Sequence, residues 1–191
     1  MIIEHGTTGF AVRTSIDSIL DSRSFLAIGS HQYRFGEQWY GLAAEDAAVL
    51  GCSFNCVIER FRNRGKHVVP MLDTHSAESI AQNWVQYVYA KTPDSQTSAE
   101  LDYRNRYLEG VYECGAQMAP DGSEAFDDGS LIFQFDIGPK VRLVACRFGI
   151  APEPYRAVDI SEVILNSDEF YDVLGAWIKS VVQLVPLASI D

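Results

Sequence analysis

The sequence predicts an α+β fold: a mainly antiparallel sheet with helices packed on one face, in a single domain over residues 1–191. Three observations predict it. Residues 129–148, GSLIFQFDIGPKVRLVACRF, alternate with period two, and Gly138-Pro139 breaks the run where the chain must reverse. Residues 167–185 carry a continuous apolar helical stripe that needs a sheet to cover it. Strands come first, helices in the middle, strands again and a helix last, which is not the alternation of βαβ units.

Taken in order, residues 1–3 and 10–14 read as short strands around a Gly6–Gly9 turn. Residues 17–23 read as a loop or single helical turn. Residues 25–28 and 32–35 suggest a second hairpin reversing at Gly29-Ser30, and 37–42 a short aromatic strand. A helix is predicted over 44–64, since Leu50, Phe54, Val57, Ile58 and Phe61 share one stripe. Glu45 and Asp46 would occupy its first turn, Arg60, Arg62 and Arg64 its last, and Gly65 would end it. A second helix over 75–90, capped by Asp73 or Thr74, is signalled by Ile80, Trp84 and Val88. Residues 91–98 form a polar loop, 99–108 a further helix, and 112–118 fit no one pattern. Residues 119–129 (APDGSEAFDDG) are a loop with two Asp-Gly turns. Residues 149–153 make a Pro-containing turn, and 155–163 hold a third late strand. In the closing helix Ser167 caps, Asp168 and Glu169 suit the dipole, and Pro186 stops it. Its face is Phe170, Val173, Leu174, Trp177, Ile178 and Val181.

Twenty-six acids against fifteen bases give a net charge of −11. That argues against nucleic-acid or anionic-membrane binding and permits a basic partner. No apolar run approaches the roughly 18 residues that span a bilayer, and no signal peptide is visible. Cys52, Cys56, Cys114 and Cys146 form no C-x-x-C pair, which suits reduced thiols.

The residues assemble no catalytic motif. His5, His31, His67 and His75 lack ligand spacing, and His67 and His75 read as solvated. Cys52 and Cys56 lie one helical turn apart, without the partners that complete a metal site. Gly6-Thr7-Thr8-Gly9 lacks the lysine and following helix of a phosphate loop. Adjacent carboxylates (Glu45 with Asp46, Asp127 with Asp128) do not converge on one substrate atom. Arg60, Arg62, Arg64 and Lys66 form a basic cluster, most simply a solvated helix end. No cofactor and no metal are expected. The acidic loop Asp121, Glu124, Asp127 and Asp128 is either solvated surface or a contact for a basic partner.

Several pieces together resemble the immunity protein 42 family of polymorphic-toxin systems, including contact-dependent inhibition. They are the opening MII…GFAV, Trp39-Tyr40-Gly41, the segment LGCSFNCVIERFRNRGK with a following Pro-Met-Leu-Asp, DDGSLIFQFDIGPKVRLVACRF, and DISEVILNSDEFYDVLGAWIKSV. Ser130 stands where the family pattern has Trp, and residues 91–118 have no counterpart in it. The resemblance implies a cytoplasmic, non-enzymatic protein that binds the C-terminal domain of a cognate toxin and blocks it. The acidic balance suits a basic, nuclease-type toxin, and Asp121, Glu124, Asp127 and Asp128 are the candidate contacts. The alternative is a small-molecule-binding or enzymatic domain whose pocket is lined by Trp39, Tyr40, Trp84 and Trp177. A scaffold subunit would instead need an extensive apolar homodimer interface.

Overall fold

A computed structural model of the chain describes residues 1–21, 26–90, 96–149 and 155–184. The class is α+β with antiparallel strands, divided into two sheets. The first runs β1 (Ile2–Gly6), β2 (Phe10–Asp21), β3 (Leu26–Phe35), β4 (Gln38–Tyr40), with β5 (Ala48–Val49) paired to β3. The second runs β6 (Gln117–Ala119), β7 (Ser130–Ile137), β8 (Lys140–Phe148), β9 (Ala157–Asn166).

The β7–β8 hairpin is the axis of the molecule. Its register pairs Ile137 with Lys140 across Gly138, which takes the positive φ the reversal requires. Both faces of this hairpin are buried. Ile132, Val141, Leu143 and Ala145 join the first sheet, α1 (Gly51–Arg62) and α4 (Ser167–Leu184) in one core. Leu131, Phe133, Val144 and Cys146 face α2 (Ala77–Tyr89) and α3 (Ser98–Glu113) in a second. Apolar residues at odd and even positions are the mark of such a strand pair. Trp177 anchors α4: it is 1% exposed, and its indole N–H donates to Thr14 Oγ1 at 3.0 Å.

Several local expectations give way to tertiary pairing. Residues 17–21 are strand, because β2 continues to Asp21 against β3 through irregularities at Asp17 and Leu20. Residues 22–25 lie outside the described set. No reversal occurs at Gly29-Ser30, since β3 passes straight through. Gly29 is there for space: a Cβ would sit 1.9 Å from the Ser15 carbonyl oxygen. The first helix starts at Gly51, not at residue 44. Ala48 and Val49 pair with β3, and Asp46 turns through a positive φ of 57°, so the helix cannot reach back. Ser76, not Asp73 or Thr74, caps α2 by accepting from the Ser79 N–H. α3 reaches from Ser98 to Glu113, with a capping box formed by Thr97 and Glu100. Pro186, residues 91–95 of the polar loop and 150–153 of the Pro-containing turn fall outside the described residues.

Candidate functional site

The acidic loop follows β6 and is fastened from below. Ala125 and Phe126 are buried, and Phe126 stacks on Tyr33 with centroids 5.9 Å apart. Ser123 starts a short 3-10 turn at Glu124–Phe126 by accepting from the Ala125 N–H. Asp121 Oδ1 accepts from the Ser123 N–H at 2.9 Å and its hydroxyl at 2.6 Å. Asp128 holds three elements together. It accepts from the N–H groups of Ser130 (3.0 Å) and Gly41 (3.3 Å) and pairs with Arg147 at 3.1 Å. Arg147 also donates to the Trp39 carbonyl and pairs with Asp159 at 3.3 Å.

The four predicted acids therefore share one loop but have different circumstances. Asp121 and Asp128 are part-buried, while Glu124 and Asp127 stand exposed. Glu124 leans on β5, where its Oε2 accepts from the Val49 N–H at 3.4 Å. That contact links the loop to acids distant in the sequence. Asp17 Oδ2 accepts from the Asp46 N–H at 3.1 Å, and Glu45 is the exposed neighbour of Asp46. Asp17, Glu45, Asp46 and Glu124 thus belong to one end of the first sheet. No sequence signal could have joined them, because Asp17 and Glu124 are united only through the strand order.

The other candidate residues are structural. His5 Nε2 meets Ser180 Oγ at 2.8 Å and His75 Nε2 meets Tyr103 Oη at 2.7 Å. His67 is 5% exposed rather than solvated, with Nδ1 on the Cys114 carbonyl at 2.8 Å. It lies in the connection between α1 and α2, where its backbone hydrogen-bonds to Asp136 of β7. Burial lowers its pKa, and the nearby Arg60 charge adds to that. His31 is wholly buried and its pKa is lowered to about 4, with Asp121 acting in the opposite direction. Burial raises the Cys56 thiol and pushes Cys146 up to about 12, so neither is an activated nucleophile. The basic cluster separates. Arg60 is 5% exposed and donates to Gln134 Oε1 (3.2 Å) and to the carbonyls of Gly115 (2.9 Å) and Gln117. Arg62 pairs with Glu59, Arg64 with Asp168, and Lys66 donates to Asn63. The Gly6–Gly9 turn presents carbonyls, not amides: the Arg34 guanidinium takes those of Thr7 (2.7 Å) and Thr8 (3.1 Å).

The four aromatics of the alternative reading line no shared pocket. Tyr40 and Trp177 are in the first core, and Trp84 is in the second, across the β7–β8 hairpin. Trp39 is on the outer side, under the Arg13 guanidinium at 4.1 Å from its ring centroid. A groove of about 700 Å³ opens elsewhere, among His5, Pro139, Asp168, Glu169 and Asp172.

These features define an α+β protein with exposed carboxylates at one end of its first sheet and, among the described residues, no group of three side chains able to hold a metal. A family model described as immunity protein 42 matches residues 1–180, and the chain belongs to that family. The crystal structure of CdiI from Burkholderia dolosa AUO158 has a similar fold, with a TM-score of 0.57 at 15% identity, covering 93% of this chain and 99% of that one. No curated protein matches the chain. Among the described residues no helix is long and apolar enough to cross a membrane.

Proposed function

We propose that this chain binds a cognate toxin domain in the cytoplasm and neutralises it without catalysis, by covering the toxin's active or substrate-binding surface. The observation that carries this reading is membership of the immunity protein 42 family over residues 1–180. The finer points rest on charge. A net charge of −11 suits a basic partner, and a nuclease-type toxin presents a basic surface because its substrate is a polyanion. The partner is the C-terminal domain of a contact-dependent inhibition toxin. The contact includes the acidic loop: Glu124 and Asp127 meet the toxin directly, and Asp121 and Asp128 hold the loop in shape.

The test is rescue of growth. The toxin domain encoded beside this chain is expressed alone and with it, and the expected result is that growth is restored only by co-expression. A Glu124→Lys, Asp127→Lys double variant should fold as the wild type and bind about tenfold or more weakly at low salt. Unchanged affinity would remove the loop from the contact and leave the neutralising function standing. Absence of rescue by the wild type would remove the function for that toxin.

A further inference from the structure

We infer that the toxin contact is centred on residues 17–21 of β2, 26–28 of β3 and β5, where exposed apolar side chains sit beside exposed carboxylates. This rests on the proposed function and adds a surface to it. β1 accompanies β2 only to Ser15, and Met1 exchanges hydrogen bonds of 2.7 Å with Ile16. Beyond that point residues 17–21 pair with β3 on one side and with no strand on the other among the described residues. All five are exposed, where the preceding half of β2 is largely buried.

Ile19 (43%), Leu20 (58%), Leu26 (40%) and Val49 (39%) are the exposed apolar side chains here. Leu26, opposite Asp21, and Val49, opposite Ile28, share one face of the sheet, while Ile19, opposite Ala27, is on the other. Leu20 sits at the register shift between Ile19 and Asp21. Asp17, Glu45, Asp46 and Glu124 are exposed at the same end of the sheet, and Asp17 and Glu124 are set by the backbone N–H groups of Asp46 and Val49. Between residues 15 and 31 the sole Lys or Arg is Arg23, in the connection outside the described residues, and none occurs in 42–50 or 120–128. Exposed apolar side chains beside charged ones are the anatomy of a protein interface. The carboxylates decide the occupant. A second copy across a two-fold would set carboxylates against carboxylates, whereas a basic toxin domain would neutralise them.

The experiment titrates the toxin domain encoded beside this chain against wild type, Leu20→Asp, and Ile164→Asp, by calorimetry. Ile164 is 57% exposed on β9 and serves as the matched control. The expected result is affinity lowered about tenfold or more by Leu20→Asp, no change for Ile164→Asp, and equal melting temperatures. Hydrogen exchange on the wild-type complex should add protection at the amides of 17–21 and 26–28, a readout that needs no variant. Unchanged affinity for Leu20→Asp, or no added protection there beside tight wild-type binding, overturns the inference alone. Failure of the wild type to bind overturns the proposed function beneath it. Self-association abolished by Leu20→Asp would assign the face to a second copy and also overturn the inference.

Discussion

His31 is enclosed by Thr14, Tyr33, Phe126 and Trp177, and its Nδ1 lies 2.8 Å from the Thr14 hydroxyl. Burial disfavours the imidazolium, so folding requires the neutral ring. The sign for stability follows. Well above pH 6.5 the ring is neutral in both states and stability is intact. As pH falls from 6.5 to about 4 the unfolded chain takes up a proton that the folded chain refuses, and stability is lost. The full loss is on the order of 3 kcal/mol, and buried His67 acts in the same direction. Urea midpoints at pH 7 and pH 4.5 should differ in the wild type and differ less in His31→Gln; equal differences would contradict this account. Arg60 illustrates a role that its sequence neighbours concealed. Among Arg62, Arg64 and Lys66 it looks solvated, yet its position on the buried side of α1 sends it into a network with Gln134, Tyr171 and Asp136. Arg60→Met should cost roughly 2–4 kcal/mol in chemical denaturation, because Gln134 and two carbonyls lose their donor in the interior. A loss under about 0.5 kcal/mol, the size of a surface change, would show that the network is dispensable.

Among the elements, those with strong internal periodicity were legible: the β7–β8 hairpin, α2 and α4. Their patterns are set by the faces they bury, and those faces are written in the sequence. β3 and the start of α1 were not legible, because long-range pairing overrides local signals there. Gly29-Ser30 has the composition of a turn, but its glycine answers to the Ser15 carbonyl on the neighbouring strand. Gly29→Ala should lower stability by about 1–3 kcal/mol through overpacking against backbone that cannot yield. A thermal melt indistinguishable from wild type would contradict that explanation. Trp177→Ala should be the costlier change, about 3–5 kcal/mol, since it removes the anchor of α4 and the donor to Thr14. The acidic loop was legible as one segment. Its connection to Asp17 and Asp46 was not, because that connection exists only after β5 pairs with β3.

At the scale of the whole molecule, chemistry is turned inward and charge outward. His31, Arg60 and Asp136 are buried; the hydrogen bonds of Arg60 and Asp136 join helices to β7, and that of His31 joins β3 to β2. Carboxylates dominate the end of the first sheet, and the proposed contact with a basic toxin domain would give that charge a purpose. Association with a basic toxin domain should be steered by this field, with an on-rate that falls as salt screens it. The central claim is that this chain captures a toxin tightly through its acidic face. The most direct test is calorimetry with the toxin domain encoded beside it, at two salt concentrations. The account predicts a Kd of about a nanomolar or tighter at low salt, weakening as salt rises. Tight binding indifferent to salt would contradict the electrostatic face, and no binding at either salt would contradict neutralisation of that toxin.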